Sequence, residues 1–249
     1  MVSAVRARVA ERPITRFCVR QILGSIVVGA VWRHSLKTLF GLRRVGVEYV
    51  PACRPLIFVG NHGSHYDGLF ARTVVMEVLG EEPTTVAWGG VRRYPFAGHA
   101  IAAGALSLIL TDETGTAMRG DVLEQMVAHL RLGRSLLLLA EGERHDSLGP
   151  FNLGAAFAAL QTGAPIVPFT LRGVQPLWKN VSWPDRWHGD VSVHFHPAVD
   201  PTEYARLPGR DAATAMTAEV RRRVASALDY PDAGDVIKSP QTVVPDPPA

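Results

Sequence analysis

The sequence predicts an α/β fold, a single domain built on a central sheet flanked by helices. Short apolar runs bounded by glycine, proline and asparagine alternate along the chain with longer segments whose apolar residues recur at helical spacing. This alternation is typical of strands and helices that assemble around one sheet. With 249 residues, of which 47% are hydrophobic, the chain can bury one sizeable core, and it shows no internal repeat.

The first half of the chain contains four predicted strands and one helix. The strands are apolar runs between turn residues, such as the run that ends at Gly60-Asn61. The helix has Asp67 near its start, where a carboxylate is favoured by the unpaired backbone amides. In chain order, we expect strands over 45–50 and 56–59, a helix over 68–79, and strands over 84–88 and 106–110.

The second half adds three strands and three helices. Apolar stripes at helical spacing, followed by Gly133 or Gly163, indicate two helices, and a stripe with four-residue spacing indicates a closing helix. A run that is almost pure leucine is typical of a strand covered on both faces, whereas the last strand alternates as an outer strand does. In chain order, we expect a helix over 121–132, a strand over 135–140, a helix over 152–161, strands over 166–171 and 191–196, and a helix over 211–228.

Composition divides the chain into three regions. We predict a basic, membrane-associating helical segment over 1–44, the α/β domain over 45–230 and a disordered tail over 231–249. The tail is rich in proline, aspartate and small residues, which leave little apolar surface to bury.

The N-terminal segment carries most of the basic character of the chain. The net charge is +3, yet residues 1–44 hold nine arginine and lysine side chains against one acidic side chain, Glu11. The apolar stretch from Ile22 to Trp32 has eleven residues. It falls short of the roughly 20 residues that span a bilayer. We expect this segment to lie at a membrane surface, the alternatives being an ordinary buried helix or a secretory signal.

Several classes of protein are not expected from the sequence. The basic segment lacks the aromatic interleaving, zinc ligands and recognition helix of a nucleic-acid-binding protein. The two cysteines, Cys18 and Cys53, form neither a disulfide framework nor a metal-ligand spacing, which favours a reducing compartment. P-loop, dinucleotide-binding and Gly-x-Ser-x-Gly motifs are also missing from the sequence.

Polar residues follow the predicted strand 56–59 at the point where α/β proteins place their chemistry. His62 stands five residues before Asp67. A histidine can take a proton near neutral pH, and a nearby carboxylate can fix its tautomer and stabilise its cation. The pair is the equipment for activating a hydroxyl group, although the spacing alone favours a loop histidine that caps the next helix with help from Asp67.

A second polar loop, Glu141-Gly142-Glu143-Arg144, follows the leucine-rich strand. Arg144, beside a glycine-containing turn and a small-residue helix, could hold a phosphate through its planar guanidinium and nearby backbone amides. Arg92 and Arg93 precede an aromatic–proline turn and could add positive charge to the same crevice. The alternatives are a surface salt-bridge loop and solvated arginines.

Neither a metal nor a cofactor is expected. His194 and His196 share one strand face but have no carboxylate or cysteine partner close in sequence, and the glycine between His62 and His65 argues against a helical metal pair. Ser64 is a candidate nucleophile near His62, but it lacks the strained turn of a nucleophile elbow.

Four sequence blocks stand in order over 61–67, 92–98, 141–144 and 164–168. They resemble the glycerolipid acyltransferase family that includes the 1-acylglycerol-3-phosphate acyltransferases. That family reads Asn-His-x-x-x-x-Asp, a basic–aromatic–Pro-Phe-x-Gly block, Glu-Gly-Thr-Arg and Val-Pro-Ile-Val-Pro. The resemblance extends from about Val45 to Pro197.

The resemblance implies a mixed central sheet of the glycerol-3-phosphate acyltransferase type and an O-acyltransferase activity. His62 would be the general base that draws the proton from an acceptor hydroxyl, and Asp67 would orient it. Arg144, with Arg92 or Arg93, would hold the phosphate of the acceptor, and Glu141 would support that loop. The substrate-binding residues that the resemblance implies are Arg92, Arg93, Glu141, Gly142 and Arg144.

The implied donor is acyl-CoA or an acyl carrier protein, and the implied acceptor is a lysophospholipid such as 1-acylglycerol-3-phosphate. Glu143 and Glu113 add negative charge where the family often has threonine and arginine. These residues leave a less charged lipid alcohol open as the acceptor. A thioester or ester hydrolase and a lipid-binding membrane module stay open as other functions. The expected location is the cytoplasmic face of the cell membrane, as a peripheral or monotopic protein.

Overall fold

The computed structural model of the protein describes residues 34, 37–64, 67–88, 108–111, 121–142, 147–174 and 190–234. The elements, in chain order, are β1 (Arg43–Val45), β2 (Ile57–Gly60), α1 (Asp67–Leu79), β3 (Thr84–Trp88), β4 (Leu108–Thr111), α2 (Asp121–Arg131), β5 (Leu136–Leu139), α3 (Gly154–Thr162), β6 (Ile166–Arg172), β7 (Ser192–Phe195) and α4 (Gly209–Ala225).

The described strands form one seven-stranded sheet in the order β1-β7-β6-β2-β5-β3-β4. β2 lies at the centre and runs parallel to both of its neighbours, β5 and β6. β3 and β4 continue the parallel part on one side, whereas β7 pairs antiparallel with β6 and β1 pairs parallel with β7. The predicted α/β fold with a mixed central sheet is confirmed.

Helices cover both faces of this sheet. Successive residues of a strand point to opposite faces, so Ile57 and Val59 of β2 pack on the side of α2, α3 and α4, while Phe58 packs on the side of α1. β5 also divides its leucines between the two clusters, as expected for a strand covered on both faces. The central strands are therefore held rigidly where the polar loops begin.

The first predicted strand is wrong in its position. β1 ends at Val45, and Val47–Tyr49 forms a 3-10 turn. Gly46 lies between them with a φ of 73°, and a Cβ at this position would stand 2.4 Å from the carbonyl oxygen of Phe195. A left-handed backbone at this close approach suits glycine and ends the strand. The loose alternation over 45–50 therefore reflects a turn.

The other predicted elements agree in type with the structure where it describes them, and their bounds differ at the ends, which are the least specified part of a helix or strand. β7 is not the outer strand that its alternation predicts. β1 pairs with the side of β7 that faces away from β6, and β1 therefore forms the edge of the sheet. β1 itself is exposed along its whole length.

Most of the predicted N-terminal segment lies outside the described residues. Among the helices that the structure does describe, none is long and apolar enough to cross a bilayer. Of the predicted tail, residues 231–234 are described and are hydrogen-bonded to the domain. The disorder of residues 235–249 stays a prediction.

Candidate active site

The two polar loops meet at one edge of the sheet. β2 and β5 are parallel neighbours, so their carboxyl ends lie side by side. His62 follows β2 and Glu141 follows β5. The His62 N–H donates to Glu141 Oε1 at 2.6 Å, which joins the loops directly. The strand ends thus bring together residues that are far apart in the chain, in the crevice typical of α/β proteins.

Asn61 anchors the start of the loop after β2. Its side-chain amide donates to the Leu171 carbonyl at 3.0 Å and accepts from the Leu171 N–H at 2.7 Å, which adds two bonds between this loop and β6. Gly60 permits a close approach of the two strands, since a Cβ there would lie 2.2 Å from the ring of Phe169. The chain therefore leaves the sheet at a fixed point, one residue before His62.

Asp67 organises the rest of this loop. It is the first residue of α1 and is fully buried. Its Oδ2 accepts from the N–H groups of Gly63 and Ser64 at 2.6 and 2.7 Å, and its Oδ1 accepts from the Ser64 hydroxyl at 2.5 Å. A buried carboxylate requires such partners, and the N-terminus of a helix favours its charge. The loop is thereby wrapped around one carboxylate.

His62 completes the set of groups around Asp67. Its Nδ1 lies 3.0 Å from Asp67 Oδ2. Because three other donors already point at this carboxylate, it acts as an acceptor here and Nδ1 carries the hydrogen. Nε2 is then the basic nitrogen, and the side chain is 18% exposed. An imidazole held in this tautomer and open to solvent can accept a proton from a bound hydroxyl.

Glu141 joins the two loops through its buried side chain, which is 1% exposed. Its Oε1 accepts from the His62 N–H, and its Oε2 accepts from the Gly149 N–H at 2.7 Å. Both oxygens are thus engaged by backbone donors. Glu141 supports the loop that carries His62, and its expected contact with substrate stays a prediction.

Glu141 makes the stability of the protein depend on pH. Burial raises its pKa from 4.5 to about 7, against hydrogen bonds from Gly149 and His62 that lower it. The folded protein therefore binds a proton on the Glu141 carboxyl group more tightly than the unfolded chain does. The stabilisation that this protonation provides is complete below pH 4.5 and is lost as the pH rises to about 7. We expect the free energy of unfolding to fall by about 3 kcal/mol across this window because of Glu141. Denaturant unfolding of the wild type and Glu141→Gln, which cannot titrate, measures the difference.

Glu219 provides a matched control for this measurement. Hydrogen bonds from Arg222 and Arg223 lower the pKa of Glu219 to about 2. Its contribution to stability is present above pH 4.5, the pKa of this glutamate in the unfolded chain, and is lost only as the pH falls toward 2. Glu219→Gln should therefore leave the dependence above pH 4.5 unchanged. An identical pH dependence in the wild type and in Glu141→Gln would contradict the raised pKa.

Three of the predicted substrate-binding residues lie outside the described residues. Arg92, Arg93 and Arg144 therefore stay predictions, and so does the positive charge that they would bring to the crevice.

Gly142 forms the turn after Glu141. It is exposed and has a φ of 72°, and a Cβ there would lie 3.1 Å from the Asn152 side-chain nitrogen. Asn152 in turn donates to the Ala140 carbonyl at 2.9 Å. Glycine thus lets the loop turn tightly over this anchor. Its predicted contact with substrate is not tested by this geometry.

The two histidines of β7 are engaged in hydrogen bonds. His194 Nε2 lies 2.9 Å from Ser192 Oγ, and His196 Nε2 lies 2.8 Å from Thr170 Oγ1. Burial lowers the pKa of His196 to about 4, so its imidazole is neutral near pH 7. Within the described part of the chain, no group of three or more histidine, cysteine or acidic side chains is arranged to hold a metal ion. His65 lies outside that part.

The sequence patterns miss the C-terminal contacts of the site. Asn61 Nδ2 also donates to Tyr230 Oη at 2.8 Å, and Arg221 of α4 binds carbonyl oxygens of the loop after Glu141. The sequence holds one indication that Arg221 is buried. This arginine stands next to the apolar stripe of the closing helix, and a charged side chain that is buried there has to be paired.

Comparison with known proteins gives several matches. The sequence profile of the family described as Acyltransferase matches residues 42–172, more than half of the chain. The 1-acyl-sn-glycerol-3-phosphate acyltransferase of Salmonella typhimurium is 28% identical over 174 residues, covering 68% of this chain and 66% of that protein. The enzyme of the same name from Haemophilus influenzae is 26% identical over 210 residues, covering 81% of this chain and 82% of that protein.

Plant relatives are longer than this chain. The chloroplastic 1-acyl-sn-glycerol-3-phosphate acyltransferase BAT2 of Brassica napus is 28% identical over 157 residues, covering 62% of this chain. The matched part is 44% of the length of BAT2 and 53% of the length of the Arabidopsis thaliana relative LPAT1.

The fold has a counterpart among solved structures. The 1-acyl-sn-glycerophosphate acyltransferase PlsC of Thermotoga maritima superposes with a TM-score of 0.59 at 18% identity, covering 85% of this chain and 83% of that chain. At this identity, the likeness concerns the fold. The profile match, by contrast, includes the residues that meet at the sheet edge, His62, Asp67 and Glu141. The chain belongs to the acyltransferase family.

Proposed function

We propose that the protein is an O-acyltransferase that moves a fatty acyl group from an acyl thioester to the hydroxyl of a lysophospholipid-type acceptor. The observation that carries the proposal is the His62–Asp67 pair, which places a basic Nε2 at the carboxyl edge of the sheet. The names of the bacterial relatives make 1-acylglycerol-3-phosphate the first acceptor to test.

The proposed reaction is a direct transfer. The acceptor oxygen attacks the thioester carbonyl carbon while His62 Nε2 takes the hydroxyl proton, and Asp67 stabilises the imidazolium that forms. The C–S bond then breaks, the thiolate leaves, and the imidazolium returns the proton to it. The products are an ester and a free thiol. Holding both substrates in line supplies much of the acceleration.

Ser64 has no nucleophilic role in this reaction. Its side chain is buried and its hydroxyl donates to Asp67. We expect Ser64→Ala to lower kcat by about 10- to 150-fold, because a hydrogen bond to a charged group contributes about 1.5–3 kcal/mol. Steady-state kinetics measure this loss. An acyl group found covalently attached to Ser64 in the wild type would contradict the assignment.

The acceptor site is part of the proposal. Arg144, with Arg92 or Arg93, would bind an acceptor phosphate through charge-assisted hydrogen bonds. Glu143 and Glu113 would oppose a phosphate dianion if they face the same site. A lysophospholipid with a lower headgroup charge is therefore included beside 1-acylglycerol-3-phosphate in the acceptor panel.

The proposal also includes the acyl donor and the location of the protein in the cell. Acyl-CoA or an acyl carrier protein would supply the thioester. The basic, apolar segment 1–44 would bring the protein to the cytoplasmic face of the cell membrane, because lysine and arginine near an anionic leaflet each add about 1 kcal/mol of attraction.

The deciding experiment uses the full chain with acyl-CoA or acyl carrier protein and a panel of lysolipids, with products identified by mass spectrometry. We expect a diacyl product that forms only when an acceptor is present, with free thiol released in equal amount. Release of free fatty acid without dependence on the acceptor would identify a hydrolase. Binding to anionic vesicles without turnover of any acceptor would identify a lipid-binding module.

A further inference from the structure

Arg221 is a buried cation that lies against the loop after Glu141. It belongs to α4 and is 4% exposed. Its Nε donates to the Gly149 carbonyl at 3.1 Å and its Nη2 donates to the Leu148 carbonyl at 3.0 Å. The guanidinium also pairs with Asp232 through both terminal nitrogens. A buried charge requires such a complete set of partners, so Arg221 restrains the carbonyl groups that it binds.

The segment Tyr230–Gly234, here the C-terminal strap, runs along the same loop. The Leu148 N–H donates to the Pro231 carbonyl at 2.8 Å, and the Ala233 N–H donates to the Leu148 carbonyl at 3.1 Å. Leu148 and Asp232 thus form a parallel bridge. The strap and Arg221 therefore both bind the end of the loop, at Leu148 and Gly149.

The loop that they hold is connected to His62 through Glu141. The Gly149 carbonyl is bound by Arg221, and the Gly149 N–H donates to Glu141 Oε2. Glu141 Oε1 then accepts from the His62 N–H. These contacts form a continuous chain of hydrogen bonds from α4 to the backbone of His62.

A second connection passes through Tyr230. Its hydroxyl oxygen accepts from Asn61 Nδ2, and Asn61 precedes His62 directly. Burial raises the pKa of Tyr230 above its ordinary value of 10, and the nearby Glu141 adds to this effect, so the phenol stays neutral. A neutral hydroxyl at this place satisfies the amide without adding charge beside Asp67.

We propose that Arg221 and the C-terminal strap are positioning elements of the active site, which fix the backbone of His62 through Glu141 and Asn61. The proposal rests on the proposed acyl transfer with His62 as the base. Displacement of reacting groups by about 1 Å can cost about 10²-fold in rate even when the mutated residue is remote. Arg221 and Tyr230 therefore affect the chemical step without touching substrate.

The test compares Arg221→Gln with Arg222→Gln in the full chain. Arg222 is the next residue of α4, but it is exposed and pairs with Glu219. We expect Arg221→Gln to lower kcat by about 10- to 100-fold, with KM values for donor and acceptor changed by less than about threefold. Arg222→Gln should leave kcat and both KM values unchanged. Circular dichroism gives the folded fraction, by which each kcat is corrected.

Tyr230→Phe extends the test because it removes a single hydroxyl group. We expect kcat to fall by about three- to tenfold, the loss that corresponds to one hydrogen bond. If Arg221→Gln does not fold, this variant decides the outcome. A corrected kcat within twofold of the wild type, or a loss confined to KM, would overturn the proposal.

Hydrogen exchange at the His62 amide provides a readout that needs no turnover. Its N–H is bound to Glu141, so we expect exchange of this amide to speed up in Arg221→Gln but not in Arg222→Gln. Unchanged exchange would overturn the proposed connection. If the wild type transfers no acyl group, the proposed function fails, whereas the exchange experiment still decides whether Arg221 controls the His62 loop.

Discussion

Replacing His62 by alanine is expected to lower kcat for acyl transfer by about 10²–10⁴-fold, the range that general base catalysis contributes. The imidazole is partly exposed and its only described side-chain partner is Asp67, so its removal leaves the sheet and both core clusters unchanged. KM for the donor should change little, because the thioester does not require the imidazole for binding. Initial rates with acyl-CoA and 1-acylglycerol-3-phosphate measure the effect.

His129 provides the matched control. Its Nδ1 lies 3.0 Å from the hydroxyl of Thr84, the first residue of β3, and therefore at the opposite edge of the sheet from His62. His129→Ala removes a partly buried imidazole of the same size but should leave kcat unchanged. Full activity of His62→Ala with the acceptor panel would exclude His62 as the base.

The meeting of His62 and Glu141 could be predicted in part from the sequence. Each follows a continuous apolar run, and buried parallel strands place the residues after their carboxyl ends in one crevice. The pattern does not tell which strands are neighbours. The structure supplies this, because β2 pairs directly with β5 and the two loops then come within hydrogen-bond distance.

The supporting role of Glu141 could be predicted from the resemblance, but its partners could not. Both of its oxygens accept from backbone N–H groups, those of His62 and Gly149. The partners of Arg221 could not be predicted either. Asp232 stands only eleven residues after it, but the carbonyl groups of Leu148 and Gly149 are more than seventy residues away, and no local pattern encodes how α4 packs against them. Such contacts follow from packing, which a linear motif does not contain.

The position of Gly46 shows a second limit of local patterns. Alternating apolar residues predict a strand over 45–50, whereas the chain turns at Gly46, where a left-handed backbone close to β7 requires glycine. The signal for a turn was a single glycine, which strands also tolerate. In the site, by contrast, Asn61 and His62 follow β2 as predicted, since this short, fully buried run is bounded by Gly60-Asn61.

Replacing Asp67 by asparagine is expected to have an effect as large as the loss of His62 itself, a fall in kcat of up to about 10⁴-fold, as for the equivalent change in serine proteases. The carboxylate accepts from two N–H groups, one hydroxyl and the His62 Nδ1. An amide offers one oxygen and adds an NH₂ group. If the NH₂ group takes the place of Oδ2, it faces the backbone donors of the loop, and the imidazole can accept from it only by moving its proton to Nε2, which removes the base. If the oxygen takes that place, the Ser64 hydroxyl can turn to accept from the NH₂ group, but the negative charge that stabilises the imidazolium is lost.

A kcat corrected for the folded fraction distinguishes this explanation from simple unfolding. Nitrogen chemical shifts of the imidazole should report hydrogen on Nδ1 in the wild type, and hydrogen on Nε2 in Asp67→Asn would identify the orientation in which the NH₂ group faces the ring. Asp200 provides the control, because it also accepts from a backbone N–H and a hydroxyl, those of Thr202, at the start of a 3-10 turn. Asp200→Asn therefore removes a similar cap without altering the imidazole, and kcat should stay at the wild-type value. If Asp67→Asn keeps hydrogen on Nδ1 yet loses activity in proportion to its folded fraction, Asp67 serves the loop and the helix alone, and the base must be oriented by another group.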